Sequence, residues 1–274
     1  MKKCLALIMG VAVMACQAFA QRVDVSLTLA HGVFVVNEPV VIQARVTNLM
    51  RDPLEIGEGA RDQLLIELAK ENRDNELTPY DDKPFIKPLT LASGNTLTHM
   101  MEIDKWFNVA ENGKYLIRVV LLHNGNRYES AMRSFDVVPG IQLKEGVQMF
   151  ANRQRLQRNF KMVHWTRNQS RQLFLRIEDA PDGKTWDTVA LGEFSRAEEP
   201  RLDIAPSGEI TTFHRANADS YLHTVIWSLP DSVEIAERNV LLDPDVSSAQ
   251  RMRAIYGDLP DQTEQKKSSW WKFW

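Results

Sequence analysis

A run of basic side chains interleaved with aromatic rings is the part of the sequence most suited to binding a ligand. Residues 153–176 contain seven arginines or lysines and no aspartate or glutamate. Guanidinium groups pair with phosphate or carboxylate, and aromatic rings stack on flat ligands. The run therefore predicts a site for an anionic group, and the alternative is a solvated face whose charges protect strand edges. The candidate binding residues are Arg153, Arg155, Arg158, Trp165, Arg167 and Arg171.

The sequence ends in a cluster of aromatic residues on a polar segment. Residues 258–269 are mostly polar, and they are followed by Trp270, Trp271, Phe273 and Trp274. Aromatic rings are costly to leave in water, and tryptophan favours the interface between membrane and water. These four residues are therefore predicted to contact a membrane surface or a groove on a partner. The alternative is a disordered tail.

Residue patterns that are typical of enzymes and metal sites are absent from the sequence. There is no Gly-x-Ser-x-Gly elbow and no glycine-rich phosphate loop. No two histidines lie four apart on a predicted helix, and none is arranged as His-x-Glu, as zinc sites often require. We therefore predict no catalytic residue, no metal and no cofactor. This favours a protein without enzymatic activity.

A predicted turn in the second half of the chain contains Asp182, Gly183, Thr185 and Trp186. These residues resemble the Asp-box repeat of sialidase-type β-propellers, Ser-x-Asp-x-Gly-x-Thr-Trp. Asp179 stands where the serine belongs, and Asp182 is one position late. The resemblance implies a structural turn with a tryptophan packed beneath it, and no sialidase activity is carried over. Residues 160–243 supply at most two blades, which excludes a closed propeller for a single chain. An ordinary hairpin turn over a core tryptophan is the alternative.

The first twenty residues have the organisation of a signal peptide. Two lysines precede an apolar stretch over residues 5–15, and residues 18–20 have the small-x-small pattern of a cleavage site. We expect residues 1–20 to be removed on export to the periplasm or the extracellular space. The alternative is a lipid anchor on Cys16, which follows a sequence that resembles a lipobox.

Charge and cysteine content limit the class of protein further. The formal net charge is −3, and it becomes −5 when the two lysines of the signal are removed with no acid. A mildly acidic chain argues against a general nucleic-acid binder. Both cysteines, Cys4 and Cys16, lie in the signal region, so cleavage after Ala20 leaves no thiol.

Alternating apolar residues predict β-strands in the first module. Val23, Val25, Leu27 and Leu29 are separated by polar residues, which is the period of a half-buried strand. Similar runs recur between turn-forming residues, so that about seven short strands are expected in residues 22–139. This spacing is typical of an antiparallel sandwich.

Three turn motifs of this module carry a resemblance to known families: Asn-Glu-Pro-Val at 37–40, Leu-Ala-Ser-Gly at 91–94 and Glu-Asn-Gly-Lys-Tyr at 111–115. They look like immunoglobulin-like domains of secreted bacterial proteins and, less closely, like the bacterial intracellular proteinase inhibitor fold. The first resemblance implies an immunoglobulin-like β-sandwich over residues 22–139. The second implies that a loop such as residues 72–82 inhibits a protease.

The rest of the chain is predicted to form a smaller antiparallel β module with one or two helices, which makes the fold class mainly β. Residues 140–159 are expected to be a helical connector, because Leu143, Val147 and Phe150 lie near helical spacing. The remaining boundaries are 160–243 for the β module, 244–257 for a second helix and 258–274 for the tail.

These features predict an exported, non-enzymatic binding module of the bacterial envelope that recognises a protein or a glycan. Two alternatives follow from the resemblances, a protease-inhibitor-like sandwich domain and an accessory part of a carbohydrate-active enzyme. No nucleic-acid partner is expected, and contact with a membrane surface would involve the C-terminal aromatic residues.

Overall fold

The computed structural model describes residues 23–72, 76–80, 85–150, 156–180, 183 and 185–243. This part of the chain consists of β-strands and loops with a single 3-10 turn at Ile103–Lys105. The prediction of a mainly β protein is therefore confirmed. The chain divides into two compact units, which are Met1–Pro139 and Gly140–Trp274.

The described residues of the first unit form three sheets. The described strands are β1 (Val23–Leu29), β2 (Val33–Val35), β3 (Val41–Asn48), β4 (Leu54–Ile56), β5 (Gln63–Lys70), β6 (Leu89–Leu91), β7 (Thr96–Glu102), β8 (Gly113–His123), β9 (Asn126–Glu129) and β10 (Arg133–Val138). The sheet orders are β1-β3-β7, β2-β10-β8-β5 with β9 paired to β8, and β4-β6. β2 and β10 pair in parallel, whereas the other pairs are antiparallel.

Alternation of side chains explains how these strands build one core. In β1 every second residue from Val23 to Leu27 is buried, and the residues between them are exposed. Buried side chains of both larger sheets join one hydrophobic cluster. In this cluster the ring of Phe135 lies 5.6 Å from Phe34 and 5.3 Å from Tyr115, measured between ring centroids. Burial of such apolar surface, at roughly 25 cal/mol per Å², is the main stabilising contribution.

The described residues of the second unit form two four-stranded antiparallel sheets, and in each sheet the strands follow one another in sequence. The first meander contains β11 (Ile141–Met149), β12 (Gln157–Arg167), β13 (Ser170–Ala180) and β14 (Thr185–Glu193). The second meander contains β15 (Arg201–Ile204), β16 (Glu209–Arg215), β17 (Ser220–Leu229) and β18 (Ser232–Leu242). Side chains of both meanders form one hydrophobic cluster, so their inner faces meet across a shared core.

A glycine permits close contact between the two meanders. A Cβ atom at Gly146 of β11 would collide with the side chain of Ile204 of β15. Ile204 packs against the hydrophobic cluster through the space that the missing side chain leaves. A larger residue at position 146 would therefore require the side chain of Ile204 to move.

The helical connector predicted over residues 140–159 is wrong in the part that the structure describes. Residues 141–149 form β11, which pairs with β12 from Ile141 opposite His164 to Met149 opposite Gln157. The spacing of three apolar residues was a weak signal, and pairing along a whole neighbouring strand outweighs it. The β module thus begins at β11 rather than near residue 160. The helix predicted over residues 244–257 and the tail that follows lie outside the described residues.

Candidate functional site

Polar side chains occupy both ends of the inner face of the first meander. Phe160 and Met162 of β12 are fully buried in the middle of this face and belong to the hydrophobic cluster. Arg158 precedes them on the same face, and His164 follows them. Six residues of β-strand span about 20 Å, so the two polar ends form separate sites.

Arg158 is fully buried at one end, and its guanidinium is surrounded by hydrogen-bond acceptors. Nε donates to Oδ1 of Asp179 at 2.6 Å, and Nη2 lies 3.3 Å from Oδ2 of the same carboxylate. Nη1 donates to Oγ of Ser228 at 3.0 Å and to the carbonyl oxygen of Leu229 at 2.7 Å. The carbonyl oxygen of Pro230 accepts from Nη2 at 3.3 Å. This cation is neutralised and fully partnered by its own fold.

Two further side chains complete this group, which we call the arginine cluster: Gln148, Arg158, Asp179, Trp186 and Ser228. The indole Nε1 of Trp186 donates to Oδ2 of Asp179 at 2.6 Å, and its ring centroid lies 4.4 Å from the guanidinium carbon of Arg158. Ser228 donates to Oε1 of Gln148 at 2.6 Å. Arg158, which the sequence places among the ligand-binding residues, is therefore structural, because its donors are used and no surface is left for a ligand.

A different group lies at the other end of the face, and we call His164, Arg171 and Arg196 the cation cluster. Nη2 of Arg196 lies 3.1 Å from Nε2 of His164. Arg171 lies on the same face of β13, diagonally across from His164. The ring of Phe194 separates two histidines, with centroid distances of 5.9 Å to His164 and 6.3 Å to His214. Arg196 is exposed, so solvent reaches the cluster from its side.

The partners of His164 define where its proton lies. A guanidinium can only donate, so Nε2 of His164 accepts from Arg196 and the proton of the neutral ring is on Nδ1. Burial lowers the pKa of His164, and the charges of Arg196 and Arg171 lower it further, which keeps the ring neutral at pH 7. In the described part of the chain, Nδ1 of His164 and Nε of Arg171 are buried without a hydrogen-bond partner. The cation cluster therefore contains two buried donors that the described fold does not use.

His214 carries its proton on the other ring nitrogen. Its Nε2 lies 3.0 Å from the backbone oxygen of Glu193, which can only accept, so the proton of the neutral ring is on Nε2. Burial lowers the pKa of His214 to about 4, although the bond to Glu193 acts in the other direction. Nδ1 is then an acceptor, and it too is buried without a partner among the described residues.

A polar cleft of about 360 Å³ opens beside His214. Its lining includes Lys144, Glu198, Glu199, Phe213, His214 and Arg215. Small-molecule sites have volumes of roughly 300–1,000 Å³ and combine a few directed polar groups with apolar or aromatic surface. The cleft contains charges of both signs and an aromatic ring, and we take it as the candidate functional site.

The charged groups at the cleft are held in place by one another. Arg215 donates from Nη1 to Oε1 of Glu198 at 2.6 Å and from Nη2 to Oδ2 of Asp243 at 2.7 Å. The hydroxyl of Tyr221 donates to Oε1 of Glu198 at 2.8 Å, and its ring stacks on Phe213 at 5.1 Å and 10°. The bond from Tyr221, and then the bond from Arg215, lower the pKa of Glu198. The cleft therefore presents an ionised carboxylate, a fixed guanidinium and a supported aromatic ring.

The other residues of the predicted basic site are placed apart from this cleft. Trp165 and Arg167 alternate with His164 along β12 and so belong to the opposite face of the first meander. The guanidinium carbon of Arg167 lies 5.6 Å from the centroid of Phe174. Arg171 alone of the described candidates joins the cation cluster. The candidates outside the described residues are Arg153, Arg155, Asp182, Trp270, Trp271, Phe273 and Trp274.

The predicted structural turn connects β13 to β14. Gly183 has a φ of 67°, a backbone conformation that suits glycine, and its N–H donates to the backbone oxygen of Asp179 at 2.9 Å. Thr185 begins β14, and the next residue, Trp186, belongs to the arginine cluster. The described residues of this turn thus position a tryptophan against a buried ion pair.

Sequence reasoning missed Arg196, Glu198 and Arg215. Residues 195–200 form a charged loop between the two meanders, and such a loop usually indicates only solvated surface. Arg215 ends a strand whose alternation is clear, but nothing in the sequence indicates that its partners are Glu198 and Asp243. These contacts depend on how the two meanders and their connections fold together.

A buried Asp–His pair in the first unit was also not predicted. Oδ1 of Asp62 lies 2.7 Å from Nδ1 of His123, and Oδ2 of Asp62 accepts from the backbone N–H of Glu55 at 2.8 Å. The amide of Asn124 donates to Nε2 of His123 at 2.9 Å, so the proton of a neutral ring is on Nδ1 and points at Asp62. Each polar atom of the pair is used within the fold, which indicates a structural role.

The first unit contains a more apolar pocket of about 580 Å³. The rings of Phe85 and Trp106 meet edge to face at its wall, with centroids 4.9 Å apart. His99 lines the same pocket, and its Nε2 is 3.2 Å from the backbone oxygen of Phe85. Residues 81–84, which precede this wall, lie outside the described chain, as does part of the predicted inhibitory loop at 72–82.

Two kinds of feature are absent from the described residues. None of the described helical segments has the length and apolarity that a membrane-spanning helix requires. No group of three or more histidine, cysteine, aspartate or glutamate side chains in the described ranges is arranged to hold a metal ion.

Comparisons with known proteins place the chain in no family. No family model matches the sequence, and no curated protein matches it either. Among solved structures, a Pseudomonas fluorescens alkylpurine DNA glycosylase bound to DNA containing an abasic site analogue is similar over 43% of this chain, with 12% sequence identity and a TM-score of 0.29. The match covers 30% of the glycosylase chain, and likeness at this level carries no inference about function.

Proposed function

We propose that this chain is an exported binding protein whose second unit recognises a glycan in the cleft beside Phe213 and Arg215. The observation that carries the proposal is the combination of a stacked aromatic pair with ordered charged groups at one cleft. A sugar ring has one apolar face, which packs on an aromatic ring, and many hydroxyls, which need donors and acceptors at fixed positions.

The order of the polar groups supports binding rather than chance exposure. Arg215 has two carboxylate partners, and Glu198 has both a guanidinium and a phenol partner. Such groups lose little conformational freedom when a ligand arrives, which favours affinity for a small polar ligand. Lys144, 3.2 Å from Glu199 across the cleft, adds a second ion pair at its rim.

We propose that the first unit is an immunoglobulin-like sandwich that serves as a scaffold. The parallel pairing of β2 with β10, in a unit whose other strands pair antiparallel, is consistent with this topology. Its turn motifs at 37–40, 91–94 and 111–115 support the same proposal. Export is proposed from the lysines, apolar stretch and small-x-small pattern of the first twenty residues.

A glycan array with the purified chain from residue 21 onward tests the proposal. Phe213→Ala removes the ring that the proposed sugar would contact, and we expect it to weaken binding about tenfold or more. Trp227→Ala is the matched control, because Trp227 is an exposed aromatic residue of the neighbouring strand β17. We expect the control to bind like the wild type.

The outcomes separate the proposal from its competitors. Saturable binding of a glycan that is lost in Phe213→Ala and kept in Trp227→Ala would support it. Absence of binding to any glycan, or equal loss in both variants, would contradict it. Capture of an envelope protein in place of a glycan, unaffected by Phe213→Ala, would contradict it in favour of a protein partner.

A further inference from the structure

The cation cluster has an excess of positive charge and of hydrogen-bond donors. Across the described part of the chain, neither Arg171 nor Arg196 forms an ion pair with a carboxylate. Nε of Arg171 and Nδ1 of His164 are buried donors without partners in the same part. His164 is 1% exposed, so this unused donor is within the fold rather than on its surface.

A buried donor without an acceptor is destabilising, and a guanidinium near a low-dielectric interior favours a counter-anion. The arginine cluster demonstrates how this fold satisfies a buried guanidinium, since Asp179 accepts from both Nε and Nη2 of Arg158. The described residues supply no equivalent carboxylate to Arg171. An anion from outside the chain would complete the cation cluster in the same way.

We propose that the cation cluster binds the acidic group of a glycan, a carboxylate or a sulfate ester, held by Arg171, Arg196 and His164. The inference rests on the proposed glycan-binding function and deepens it, because it names the kind of sugar. Nε of Arg171 and Nδ1 of His164 donate to the anion, and the exposed guanidinium of Arg196 adds charge at the entrance.

The position of the cluster connects it to the cleft. Phe194 contacts both His164 of the cluster and His214, which lines the cleft. The backbone N–H of Phe194 donates to the backbone oxygen of Arg171 at 2.8 Å, which fixes the ring beside the cluster. Phe194 therefore lies between the cluster and a residue that lines the cleft, and the proposal requires an oligosaccharide long enough to reach from Phe213 to Arg171.

Charge in the cleft indicates how many acidic groups the glycan carries. Glu198 and Glu199 line the cleft beside the cluster and would repel a ligand that is charged at every unit. A single acidic sugar flanked by neutral sugars suits this distribution of charge. The same repulsion disfavours the continuous phosphate backbone of a nucleic acid.

Isothermal titration with three matched oligosaccharides tests the inference. They are a uronic-acid oligosaccharide, the same molecule with its carboxyl reduced to an alcohol, and a sulfated analogue of the reduced form. We expect the wild-type chain to prefer one or both acidic forms over the reduced form by about tenfold or more, as a charge-assisted hydrogen bond provides. Inorganic sulfate should compete with the acidic form and not with the reduced form.

Arg171→Gln and Arg196→Gln should each remove most of this preference and leave the affinity for the reduced form unchanged. Arg167→Gln is the matched control, because Arg167 lies on the same hairpin but on the opposite face. If a glutamine variant fails to fold, the comparison of the three ligands and the sulfate competition with the wild type still decide the question.

The outcomes also separate the two proposals. Binding of neutral and acidic forms with equal affinity, without sulfate competition, would overturn the inference and leave the glycan-binding function intact. Sulfate binding that depends on Arg171 without binding of any oligosaccharide would overturn the glycan function and, with it, the glycan source of the anion. A preference that survives Arg171→Gln and is lost in Arg167→Gln would overturn the proposed position of the site.

Discussion

The two polar ends of the first meander contain similar residue types in opposite electrostatic states. At one end Arg158 is buried against Asp179 and a set of backbone carbonyls, and its guanidinium is fully partnered. At the other end Arg171 and Arg196 surround a neutral histidine, with two buried donors that no described residue accepts from. The donors of Arg158 are satisfied within the fold, whereas we propose that a bound anion satisfies the donors of the cation cluster.

The difference shows why a run of basic residues is a poor predictor of a site. Arg158 and Arg171 belong to the same run, and both face the interior of the second unit. Whether an arginine binds a ligand depends on the partners that the fold brings to it, because an internal carboxylate removes the need for an external one. Four changes would break or sharpen this comparison, and they follow in order of expected effect.

Arg158→Leu should cause the largest loss of stability. It leaves the carboxylate of Asp179 buried without its cation, and we expect the free energy of unfolding of the second unit to fall by about 3–5 kcal/mol. Hydrogen exchange of the β12 and β13 amides measures this unit separately from the first. The double variant Arg158→Leu with Asp179→Leu should recover most of the loss, since no charge remains buried.

Lys161→Leu provides the control for that measurement. Lys161 pairs with Glu178 at 2.9 Å, but both side chains are partly exposed, and Glu178 keeps a second cation, because Nε of Arg176 lies 2.7 Å from its Oε1. We expect a change of about 1 kcal/mol or less. Equal losses in Arg158→Leu and Lys161→Leu would show that burial of the arginine cluster has no special role.

His214 should make the stability of the second unit depend on pH. The pKa of His214 is lowered to about 4, whereas an unfolded histidine titrates near 6.5, so the unfolded chain binds more protons between these values. Stability should therefore fall by an amount on the order of 3 kcal/mol as the pH decreases from 6.5 to 4. His214→Gln should remove this component in denaturation curves recorded across that range. Parallel curves for the two proteins would contradict the assignment.

Trp186→Phe should have an intermediate effect. The variant keeps a ring beside the guanidinium of Arg158 and removes the N–H that Asp179 accepts. Loss of one hydrogen bond to a buried charge costs about 1–3 kcal/mol. Thermal unfolding followed by circular dichroism measures the effect. An unchanged transition would mean that the bond at 2.6 Å contributes nothing to the arginine cluster.

Arg171→Gln should have the smallest effect on the free energy of unfolding. Unlike Arg158→Leu, it should not lower that free energy. Removal of one of two like charges should leave stability unchanged or raise it by up to about 1 kcal/mol. It should also raise the pKa of His164, because Arg171 contributes to lowering it. A titration of the His164 ring followed by NMR measures that pKa. A loss of 2 kcal/mol or more would place Arg171 in a structural role like that of Arg158.

Most of the fold could be predicted from side-chain alternation. The strand predicted from Val23 to Leu29 and the β module predicted from residue 160 agree with the structure, since buried residues recur at alternate positions in β1 and along much of β12 and β13. β11 was missed although Ile141, Leu143, Val147 and Met149 lie at alternate positions, because Glu145 interrupts the run and the edge strand has mixed exposure. Short strands such as β4 and β6 have too few residues for any period to be detected.

The candidate site was predicted far less well. The residue types were identified in the basic run, but its described candidates have different roles. Arg158 is structural and Arg171 belongs to the cation cluster, whereas Trp165 and Arg167 lie on the opposite face of the meander. The cleft depends on Glu198 meeting Arg215 and Tyr221, contacts between residues 17 and 23 positions apart that no local pattern indicates. These contacts depend on the register between strands and on the path of the loop at 195–200. The spacing of residue types along the sequence predicts neither.

The most direct test compares the two arginines in one experiment. NMR spectra of the Nε–H groups of arginine, recorded while inorganic sulfate is added to the wild-type chain, report on both ends of the meander at once. We expect the Arg171 signal to shift and saturate, and the Arg158 signal to stay where it is, protected by Asp179. A saturating shift of Arg158, or no shift of Arg171 at any sulfate concentration, would contradict the central claim. That claim is that the donors of Arg158 are satisfied within the fold and that Arg171 binds an anion.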